Sequence, residues 1–598
     1  MSMSKNIARL AVTAGLTAAL SFGGVIAPVT MAFAATGSTV TFADGNYSKN
    51  TTYKGIQIFK ATVATSEGTT TLSNIAWASD EAKTAVLNAI KATEKGSSFT
   101  SDHAQDAADW LSVNAGVSGT DSKVASDNVL SLIAANLEGK PGWETTTAGN
   151  PSLSGLAAGY WLFLTAAAGT PDGSSTDAFT SPVYAVIDGT SATTVTPKKG
   201  VPTVEKKVLD DADAVADDIK VSDKWKDVAD SQIDQEVNYK LTGTIASNYA
   251  TFSTYAYKFT DTLSGGLDYV NGSVEVYAVN NGAYTKIDTN HYSVKYVDTG
   301  KTLTVEFKAG NGDKGLKDVA GVTADTQIVV FYKAKLNDSA VIGNAAKDKK
   351  GGNPNTVKLE YSNNPYTEGT GETIEDTVAD FAFKLNLNKV DQGTEKGLAG
   401  AVFTIQSDDA NTNGQYVASK TDTTAGVVAG QLVTVANANN LPDYVMFTSG
   451  TVSGKEGMIE VKGLDAGSYK VTEVQTPDDS KYTKAEPFTF TITPTYNEST
   501  MKVTSLTAAV SASDKGRTDI AFGKLDGTAG DHKLTGTGGT NADTGEVTIN
   551  VGNAKSVGLP ITGLDGVTFT WIAGGAVLCI GVAHLIRSRK RAEESEQE

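Results

Sequence analysis

Residues 383–389 read FKLNLNK, and this stretch predicts a β-strand with an unusual core position. Alternate side chains of a strand share one face, so its phenylalanine, two leucines and lysine all point the same way. Lys389 therefore falls on the apolar face. The runs YKVTE and VTINVGN repeat the alternation and place Glu473 and Asn553 on apolar faces. One amine, one carboxyl and one amide are thus expected inside a single β-sheet core.

A second set of three polar residues lies earlier in the chain. Alternation with valine, phenylalanine and tyrosine puts Lys206, Asp261 and Asn363 on the apolar faces of three further strands. The same parity excludes the neighbours Lys207 and Asn550, which face the other way. The sequence therefore predicts two buried sets, each with a lysine, an acid and an asparagine.

A lysine and a carboxylic acid that are buried together can react with an asparagine. Burial disfavours charge, so it lowers the pKa of an amine and raises the pKa of a carboxyl group. The neutral amine can then attack the amide carbon, while the acid hydrogen-bonds the amide oxygen and passes its proton to the departing ammonia. Each set thus predicts a Lys–Asn isopeptide bond. The alternative is a strand-end lysine that extends its amine to water beside structural polar residues.

The rest of the chain predicts a mainly β protein. Short alternating strands between glycine, asparagine and aspartate turns fill two regions and indicate tandem immunoglobulin-like sandwiches. The region before them mixes strand-like segments with helical spacing behind Ser79 and Ser126, which predicts an α+β domain. A glycine- and threonine-rich patch, residues 525–545, is expected to be an exposed loop of the last domain. The predicted segments are 1–34, 35–199, 200–379, 380–556 and 557–598.

Composition excludes several classes of function. The formal charge of −18 over 598 residues argues against nucleic acid as a partner. The single cysteine, Cys579, lies in a C-terminal apolar run, so the preceding domains have neither disulfides nor thiolate metal sites. The four histidines match no HExxH spacing. We therefore expect no enzyme, no metal site and no cofactor.

The beginning of the chain predicts export. A positively charged start is followed by an apolar stretch and by Ala-Phe-Ala before Ala35, which is typical of a signal peptide that covers residues 1–34. The last segment contains an apolar run, residues 567–586, and a basic cluster that starts at Arg587. Twenty residues of helix span about 30 Å, the thickness of the hydrocarbon core of a bilayer. The segment therefore predicts a transmembrane helix with a cytoplasmic basic tail.

The residues before this apolar run are LPITG. Together with the span and the basic tail they closely resemble the LPxTG sorting signal of Gram-positive surface proteins; the five residues are Leu559, Pro560, Ile561, Thr562 and Gly563. The resemblance implies that a sortase cysteine cleaves between Thr562 and Gly563, and that an amine then takes the Thr562 carbonyl. An ordinary single-span anchor is the alternative.

The last domain shows a second resemblance, to a known β-sandwich family. Residues 467–477 (GSYKVTEVQTP) resemble the E-box of collagen-adhesin B-type (CnaB) domains, and Glu473 matches the catalytic glutamate of that family. Residues 387–391 and 398–403 are similar to the first strands of such domains. Asn553 lies where the family places its acceptor. The resemblance implies an isopeptide-forming sandwich.

The middle domain resembles a different module. Residues 202–208 (PTVEKKV), 260–264 (TDTLS) and 360–365 (EYSNNP) are similar to the fimbrial isopeptide-forming D2 domain, which implies a cross-link here as well. The first domain has no comparable set. Its strand GYWL, residues 159–162, lacks a glutamate at the E-box spacing. We therefore predict no cross-link in the first domain.

A covalent polymer also needs an exposed lysine on the next subunit. Residues 196–199 (TPKK) resemble the pilin motif of major fimbrial subunits, although its usual tyrosine and asparagine are absent. Alternation places Lys198 on the side away from Val195, which makes Lys198 the first choice and Lys199 the second. A basic interdomain linker is the alternative.

The chain as a whole is identified as a major shaft subunit of a sortase-assembled Gram-positive pilus. This resemblance implies tandem CnaA/CnaB-type sandwiches behind an α+β N-terminal pilin domain. It implies as partners the pilin-specific and housekeeping sortases, further copies of the chain and peptidoglycan. A host receptor and tip or basal pilins leave no motif in the sequence. The main alternative is a monomeric wall-anchored adhesin, and a surface enzyme lacks any supporting motif.

Overall fold

A computed structural model describes most of the three central domains. The described residues are 37–43, 50–66, 69–116, 124–170, 173–211, 213, 219–220, 222–310, 312–344, 350–523 and 539–556. The predicted signal peptide, the LPITG sequence with its apolar span, and most of the glycine-rich patch lie outside these ranges. Among the described residues, no helix is long and apolar enough to cross a membrane.

The first domain combines two sheets with three helices. Its elements are β1 (Ser38–Phe42), β2 (Thr52–Ser66), β3 (Thr69–Trp77), α1 (Asp80–Ala92), α2 (Ala104–Asn114), α3 (Val129–Leu137), β4 (Glu144–Thr145), β5 (Ser152–Leu156), β6 (Gly159–Ala167), β7 (Val183–Ile187) and β8 (Thr193–Val195). The larger sheet has the order β3-β2-β6-β7, with β4 paired to β2, and the smaller has the order β5-β1-β8. Leu162 of β6 packs against the helices, whereas its neighbours Trp161 and Phe163 pack against the smaller sheet. The predicted α+β arrangement is confirmed.

Helix starts follow the expected capping chemistry with one correction. The Ser79 side chain accepts a hydrogen bond from the Ala82 amide at 3.1 Å and caps α1, as predicted. The cap of α3 is Asn128, which accepts from the Leu130 amide at 2.9 Å. The sequence predicted Ser126-Asp127 at this start, so the observed cap lies one residue further along the chain.

The second domain is a sandwich of two large sheets. Its strands are β9 (Val204–Leu209), β10 (Val228–Asp230), β11 (Glu236–Gly243), β12 (Tyr257–Leu263), β13 (Leu267–Tyr269), β14 (Glu275–Asn280), β15 (Ala283–Lys286), β16 (Tyr292–Val297), β17 (Thr302–Phe307), β18 (Ala309–Gly310), β19 (Asp313–Lys314), β20 (Gln327–Leu336), β21 (Asn353–Ser362), β22 (Thr370–Glu372) and β23 (Asp376–Phe381). One sheet has the order β10-β23-β21-β12-β17-β16 and the other β15-β14-β20-β11-β9. Buried tyrosines and aliphatic residues fill the space between them.

The third domain is a second sandwich. Its strands are β24 (Phe383–Asp391), β25 (Val402–Ser407), β26 (Tyr416–Val417), β27 (Leu432–Val433), β28 (Phe447–Thr448), β29 (Gly450–Val452), β30 (Lys455–Leu464), β31 (Gly467–Gln475), β32 (Phe488–Asn497), β33 (Lys502–Val510), β34 (Ile520–Phe522), β35 (Thr540–Asn541) and β36 (Glu546–Asn553). One sheet has the order β29-β30-β24-β36-β34 and the other β27-β26-β25-β31-β32-β33. The first and last strands, β24 and β36, run parallel side by side. Two sandwiches after an α+β domain confirm the predicted fold class.

Hydrogen bonds connect each domain to the next. Between the first two, the Ser181 and Thr251 hydroxyls lie 2.6 Å apart in a buried contact. Between the second and third, the Tyr469 hydroxyl donates to the Gln232 side chain at 2.9 Å. Such buried polar contacts restrict how neighbouring domains can be oriented.

Candidate functional sites

The third-domain set, Lys389, Glu473 and Asn553, comes together as the sequence predicts. Lys389 lies opposite Val551 on the parallel pair β24 and β36, and Asn553 is two residues further along β36. Glu473 reaches the same place from β31 in the facing sheet. All three residues are 3% exposed or less. The parity of the three strands therefore predicted a real cluster.

The distances in this cluster suit an attack on the asparagine. Asn553 Nδ2 donates to Glu473 Oε2 at 2.8 Å, and Lys389 Nζ is 3.9 Å from Glu473 Oε1. Lys389 Nζ also donates to the Val551 carbonyl at 3.0 Å. Glu473 Oε1 and Asn553 Oδ1 are both buried, and neither has a hydrogen-bond partner among the described residues. One carboxylate thus contacts both the amine and the amide.

Burial prepares the Lys389 amine for nucleophilic attack. Desolvation lowers the pKa of Lys389 to about 8, although the nearby charge of Glu473 acts in the opposite direction. A larger fraction of the amine is therefore neutral near pH 7 than for a lysine in water. A neutral amine has the lone pair that acyl transfer requires.

The second domain holds a lysine–acid pair of similar burial. Lys206 Nζ donates to the two carboxylate oxygens of Asp261 at 2.5 and 2.6 Å, and to the Tyr332 hydroxyl at 2.9 Å. Lys206 is fully buried and Asp261 is 1% exposed. Desolvation lowers the pKa of Lys206 to about 8 against the attraction of Asp261. The predicted amine and acid are therefore together.

The predicted acceptor of this pair, Asn363, is elsewhere, and that prediction was wrong. Asp261 lies opposite Val357 on β21, whereas Asn363 follows six residues later. Six residues of strand span about 20 Å, which is too far for a contact. The Asn363 side chain donates instead to the Asp177 carbonyl in the first domain, at 3.3 Å. It belongs to the joint between the first two domains.

Asn355 occupies the position that Asn363 was expected to fill. It pairs with Leu263, so it is adjacent to the Asp261–Val357 pair and on the same face of β21. It is fully buried, and its Nδ2 donates to the Tyr332 hydroxyl at 2.6 Å. Its Oδ1 has no hydrogen-bond partner within the described parts of the chain. Parity alone allowed Asn355 as well as Asn363, and only the strand register distinguishes them.

The two candidate linking lysines differ in their surroundings. Lys199 Nζ lies 2.5 Å from Asp177 Oδ2 and 3.1 Å from the Tyr53 hydroxyl, and its side chain is 6% exposed. Lys198 is half-buried. Its amide donates to the Thr180 hydroxyl at 2.6 Å, and its carbonyl accepts from the Ser181 amide at 2.8 Å. These two hydrogen bonds fix its backbone. The sequence did not predict the buried pair of Lys199 and Asp177.

Two family models match the sandwich domains. Residues 233–365 match the model described as Gram-positive pilin backbone subunit 2, Cna-B-like domain, and residues 383–506 match the SpaA prealbumin-like fold domain. The first range contains Asp261 and Asn355, and the second contains Lys389 and Glu473. The middle domain is thus similar to a Gram-positive pilin backbone domain, and the two matched ranges together cover less than half of the chain. The model that matches the middle domain is described as Cna-B-like, whereas the motifs in the sequence resemble the D2 type.

Three solved structures illustrate the similarity. The T6 backbone pilin of serotype M6 Streptococcus pyogenes is 15% identical, with a TM-score of 0.47 and coverage of 88% of this chain and 100% of that chain. The major pilin SpaD from Corynebacterium diphtheriae is 16% identical, with a TM-score of 0.39 and coverage of 88% and 99%. The group B streptococcus pilus 2b backbone protein is 21% identical, with a TM-score of 0.35 and coverage of 55% and 95%. Similarity at this level says nothing further about function. No curated protein sequence matches the chain.

Proposed function

We propose that this chain is the major shaft subunit of a sortase-assembled pilus, anchored to the cell wall and stabilised by two internal isopeptide bonds. The observation that carries the proposal is the match of the second domain to a Gram-positive pilin backbone domain. The LPITG sequence supplies the donor, because a sortase that cleaves after Thr562 leaves an acyl group for an amine. The fibre supports adhesion at the cell surface, where further copies of the chain, sortases and peptidoglycan are the partners.

The third domain forms its bond between Lys389 and Asn553. The amine gives one proton to Glu473, and its nitrogen then attacks the amide carbon of Asn553 and releases a second proton to Glu473 as the bond from that carbon to Nδ2 breaks. The 2.8 Å contact from Asn553 Nδ2 to Glu473 Oε2 lets the same carboxyl group return a proton to the leaving nitrogen. Ammonia departs and an amide remains, so the mass falls by about 17 Da. The reaction occurs once, without turnover.

The second domain forms the equivalent bond between Lys206 and Asn355. Asp261 takes the proton of the amine, to which it is hydrogen-bonded by both oxygens. The bond closes a loop of about 150 residues, and the bond of the third domain closes one of similar length. By the chain-entropy model written for disulfides, each loop closure removes about 5 kcal/mol of unfolded-state freedom. This would offset the lack of disulfides in subunits that transmit force in series.

Lys198 is the amine that receives Thr562 of the neighbouring subunit. Its main chain is held by hydrogen bonds from both sides, and its side chain lies on the more exposed face of the segment. Lys199 is less suited, because its amine is already committed to Asp177 in a buried ion pair. Removing Lys199 would leave the Asp177 carboxylate without its partner, which costs stability.

The test is an immunoblot of boiled cell-wall extracts. We expect a ladder of high mass for the wild type and only wall-attached monomer for Lys198→Ala, since peptidoglycan remains as an acceptor. Lys420→Ala is the matched control, because this lysine side chain is 57% exposed in the third domain and should leave the ladder intact. A ladder that persists in Lys198→Ala and disappears in Lys199→Ala would reassign the linking residue. A single band for the wild type would favour the monomeric adhesin.

A further inference from the structure

The second and third domains hold the leaving nitrogen of the asparagine differently. In the third domain, Asn553 Nδ2 touches the carboxylate of Glu473 directly. In the second domain, Asn355 Nδ2 touches the hydroxyl of Tyr332 at 2.6 Å. The proposed reaction must deliver a proton to this nitrogen before ammonia can depart. The two domains therefore need different routes for that proton.

Tyr332 has the hydrogen-bond pattern of a proton carrier. Its hydroxyl oxygen accepts hydrogen bonds from Lys206 Nζ at 2.9 Å and from Asn355 Nδ2 at 2.6 Å. Its own proton is directed to Asp261. A phenol accepts up to two hydrogen bonds and donates one, so every position of this hydroxyl is used by the reacting groups. The hydroxyl links the amine, the acid and the amide in one network.

The Asn355 amide donates to Tyr332, and Asp261 is engaged with the amine. Both of its oxygens are hydrogen-bonded to Lys206, at 2.5 and 2.6 Å. Aspartate is also one methylene shorter than the glutamate that serves the third domain. Bulk solvent does not reach this group, since Tyr332 is 1% exposed and stacks on Tyr239 with ring centroids 5.2 Å apart.

We propose that Tyr332 is a catalytic residue of the second domain, the general acid that protonates the leaving nitrogen of Asn355. This inference rests on the proposed cross-link between Lys206 and Asn355. It goes beyond that cross-link because it assigns a step to a residue outside the lysine–acid–asparagine set. The phenol is a carrier and is regenerated within the same reaction.

The protons balance in this scheme. Lys206 gives one proton to Asp261, and its neutral nitrogen bonds to the amide carbon of Asn355. After the attack, the nitrogen from Lys206 releases a second proton toward the network, and the bond from the carbon to Nδ2 breaks. Tyr332 donates its proton to Nδ2 and recovers one from Asp261. The products are one amide, one ammonia molecule, a neutral phenol and a protonated Asp261.

The surroundings keep Tyr332 in the protonated form that a donor needs. Burial is the main cause that raises the pKa of this hydroxyl well above its ordinary value, and the charge of Asp261 acts in the same direction. The titratable groups of the described residues that face it include Lys206 on β9, Tyr239 on β11, Asp261 on β12 and Tyr269 on β13. The phenol therefore enters the reaction with its proton in place.

The first test compares two tyrosine variants of the full ectodomain. Pulse-labelled protein is quenched at intervals after synthesis, and mass spectrometry of its peptides follows the cross-link of Lys206 to Asn355. We expect Tyr332→Phe to slow this cross-link by about 100-fold or more, the usual contribution of a general acid. Tyr255→Phe is the matched control, because that buried hydroxyl of the same domain has no partner among the described residues. The bond of Lys389 to Asn553 serves as an internal control.

Each outcome of this comparison has a clear meaning. A slow bond in Tyr332→Phe alone supports the inference. Equal rates in Tyr332→Phe and the wild type overturn it, and so does equal slowing in Tyr255→Phe, which would indicate a general effect of losing a buried hydroxyl. If the wild type never forms the bond between Lys206 and Asn355, the proposed cross-link fails, and the inference fails with it for that separate reason.

A second measurement remains decisive if Tyr332→Phe does not fold. Fluorinated tyrosines keep the ring and the hydroxyl, while each added fluorine makes the phenol a stronger acid. With one, two or three fluorines placed at position 332, the rate of cross-linking at fixed pH should change in graded steps. A structural role for the hydroxyl would leave the rate flat across the series, and a flat series overturns the inference.

Discussion

The two sandwiches arrange the same three functional groups in different ways. In the second domain, Lys206 and Asn355 lie on facing sheets, so the proposed bond would cross the core. In the third domain, Lys389 and Asn553 lie on neighbouring parallel strands of one sheet, and only the acid comes from the facing sheet. Burial and proximity of the three groups are therefore achieved by two different strand arrangements.

The difference in geometry explains the difference in the acid. Glu473 crosses the core to reach an amine and an amide that are already side by side, so one long carboxylate contacts both. Asp261 lies two register positions from Asn355 on the adjacent strand and is held against Lys206 by both oxygens. The short acid thus contacts the amine and the Tyr332 hydroxyl, and Tyr332 in turn accepts from the Asn355 amide. The length of the acid follows from where the acceptor lies.

The largest expected effect comes from removing each acid without changing its shape. Glu473→Gln should abolish the bond of the third domain and leave that of the second, while Asp261→Asn should do the reverse. Each ectodomain should then be about 17 Da heavier, relative to its own sequence, than a protein with both bonds, because one ammonia is retained. Intact mass measures this, and calorimetry should show a lower melting temperature for the affected domain only.

This pair of variants also tests whether the domains are independent. Thr472→Ala is a suitable control, because its side chain alternates with Glu473 on β31 and faces away from the cluster. It should retain both bonds. Loss of both bonds in either acid variant would contradict the assignment of one acid to each domain.

The sequence predicted the third-domain cluster fully and the second only in part. Alternation identifies which side chains enter a core, and that was enough where β24 and β36 place Lys389 and Asn553 side by side. Two asparagines of β21, Asn353 and Asn355, have the same parity as Asn363, which directly follows the strand, and parity cannot choose among the three. The choice depends on register with β12, a long-range pairing that no local pattern determines.

The second prediction concerns the acceptor of the second domain. Asn355→Ala should abolish its bond, because it removes the amide that shares the Tyr332 hydroxyl with the Lys206 amine. Asn363→Ala is the matched control and should retain the bond, since that side chain contacts Asp177. Peptide mapping after digestion would identify the residue joined to Lys206. A cross-link that survives in Asn355→Ala and disappears in Asn363→Ala would restore the assignment made from parity.

Tyr332 and the buried pair of Lys199 with Asp177 were also missed for a physical reason. Tyrosines are ordinary core residues of strands, so β20 offers no local signal that one hydroxyl serves a reaction. Asp177 lies in a segment between strands, where alternation does not apply. Side chains that act through partners on other strands become visible only when the sheets are assembled.

The smallest expected effect is a dependence on pH that the two domains should share. Burial lowers the pKa of both Lys206 and Lys389 to about 8. Each lysine–acid pair needs one proton, since the acid passes it to the leaving ammonia. Above about pH 8 that proton is lost to solvent, so the rate of each cross-link should fall by about tenfold per pH unit. Pulse labelling between pH 7 and 10 would measure both rates in one sample.

The lysine pKa can be measured separately in proteins that cannot react. Burial lowers the folded pKa of Lys389 from 10.5 to about 8, so the unfolded chain binds more protons between these two values, and we expect the same direction in Asn553→Ala. Stability of the third domain should therefore rise as pH increases through that window. In Asn355→Ala, the stability of the second domain should likewise rise with pH, because of Lys206. The result that would contradict this scheme is a cross-linking rate that rises above pH 8 while the stability of the unreactive variant rises with pH as expected. It would show that the reaction is limited by the supply of neutral amine. Neither Glu473 nor Tyr332 would then need to supply a proton.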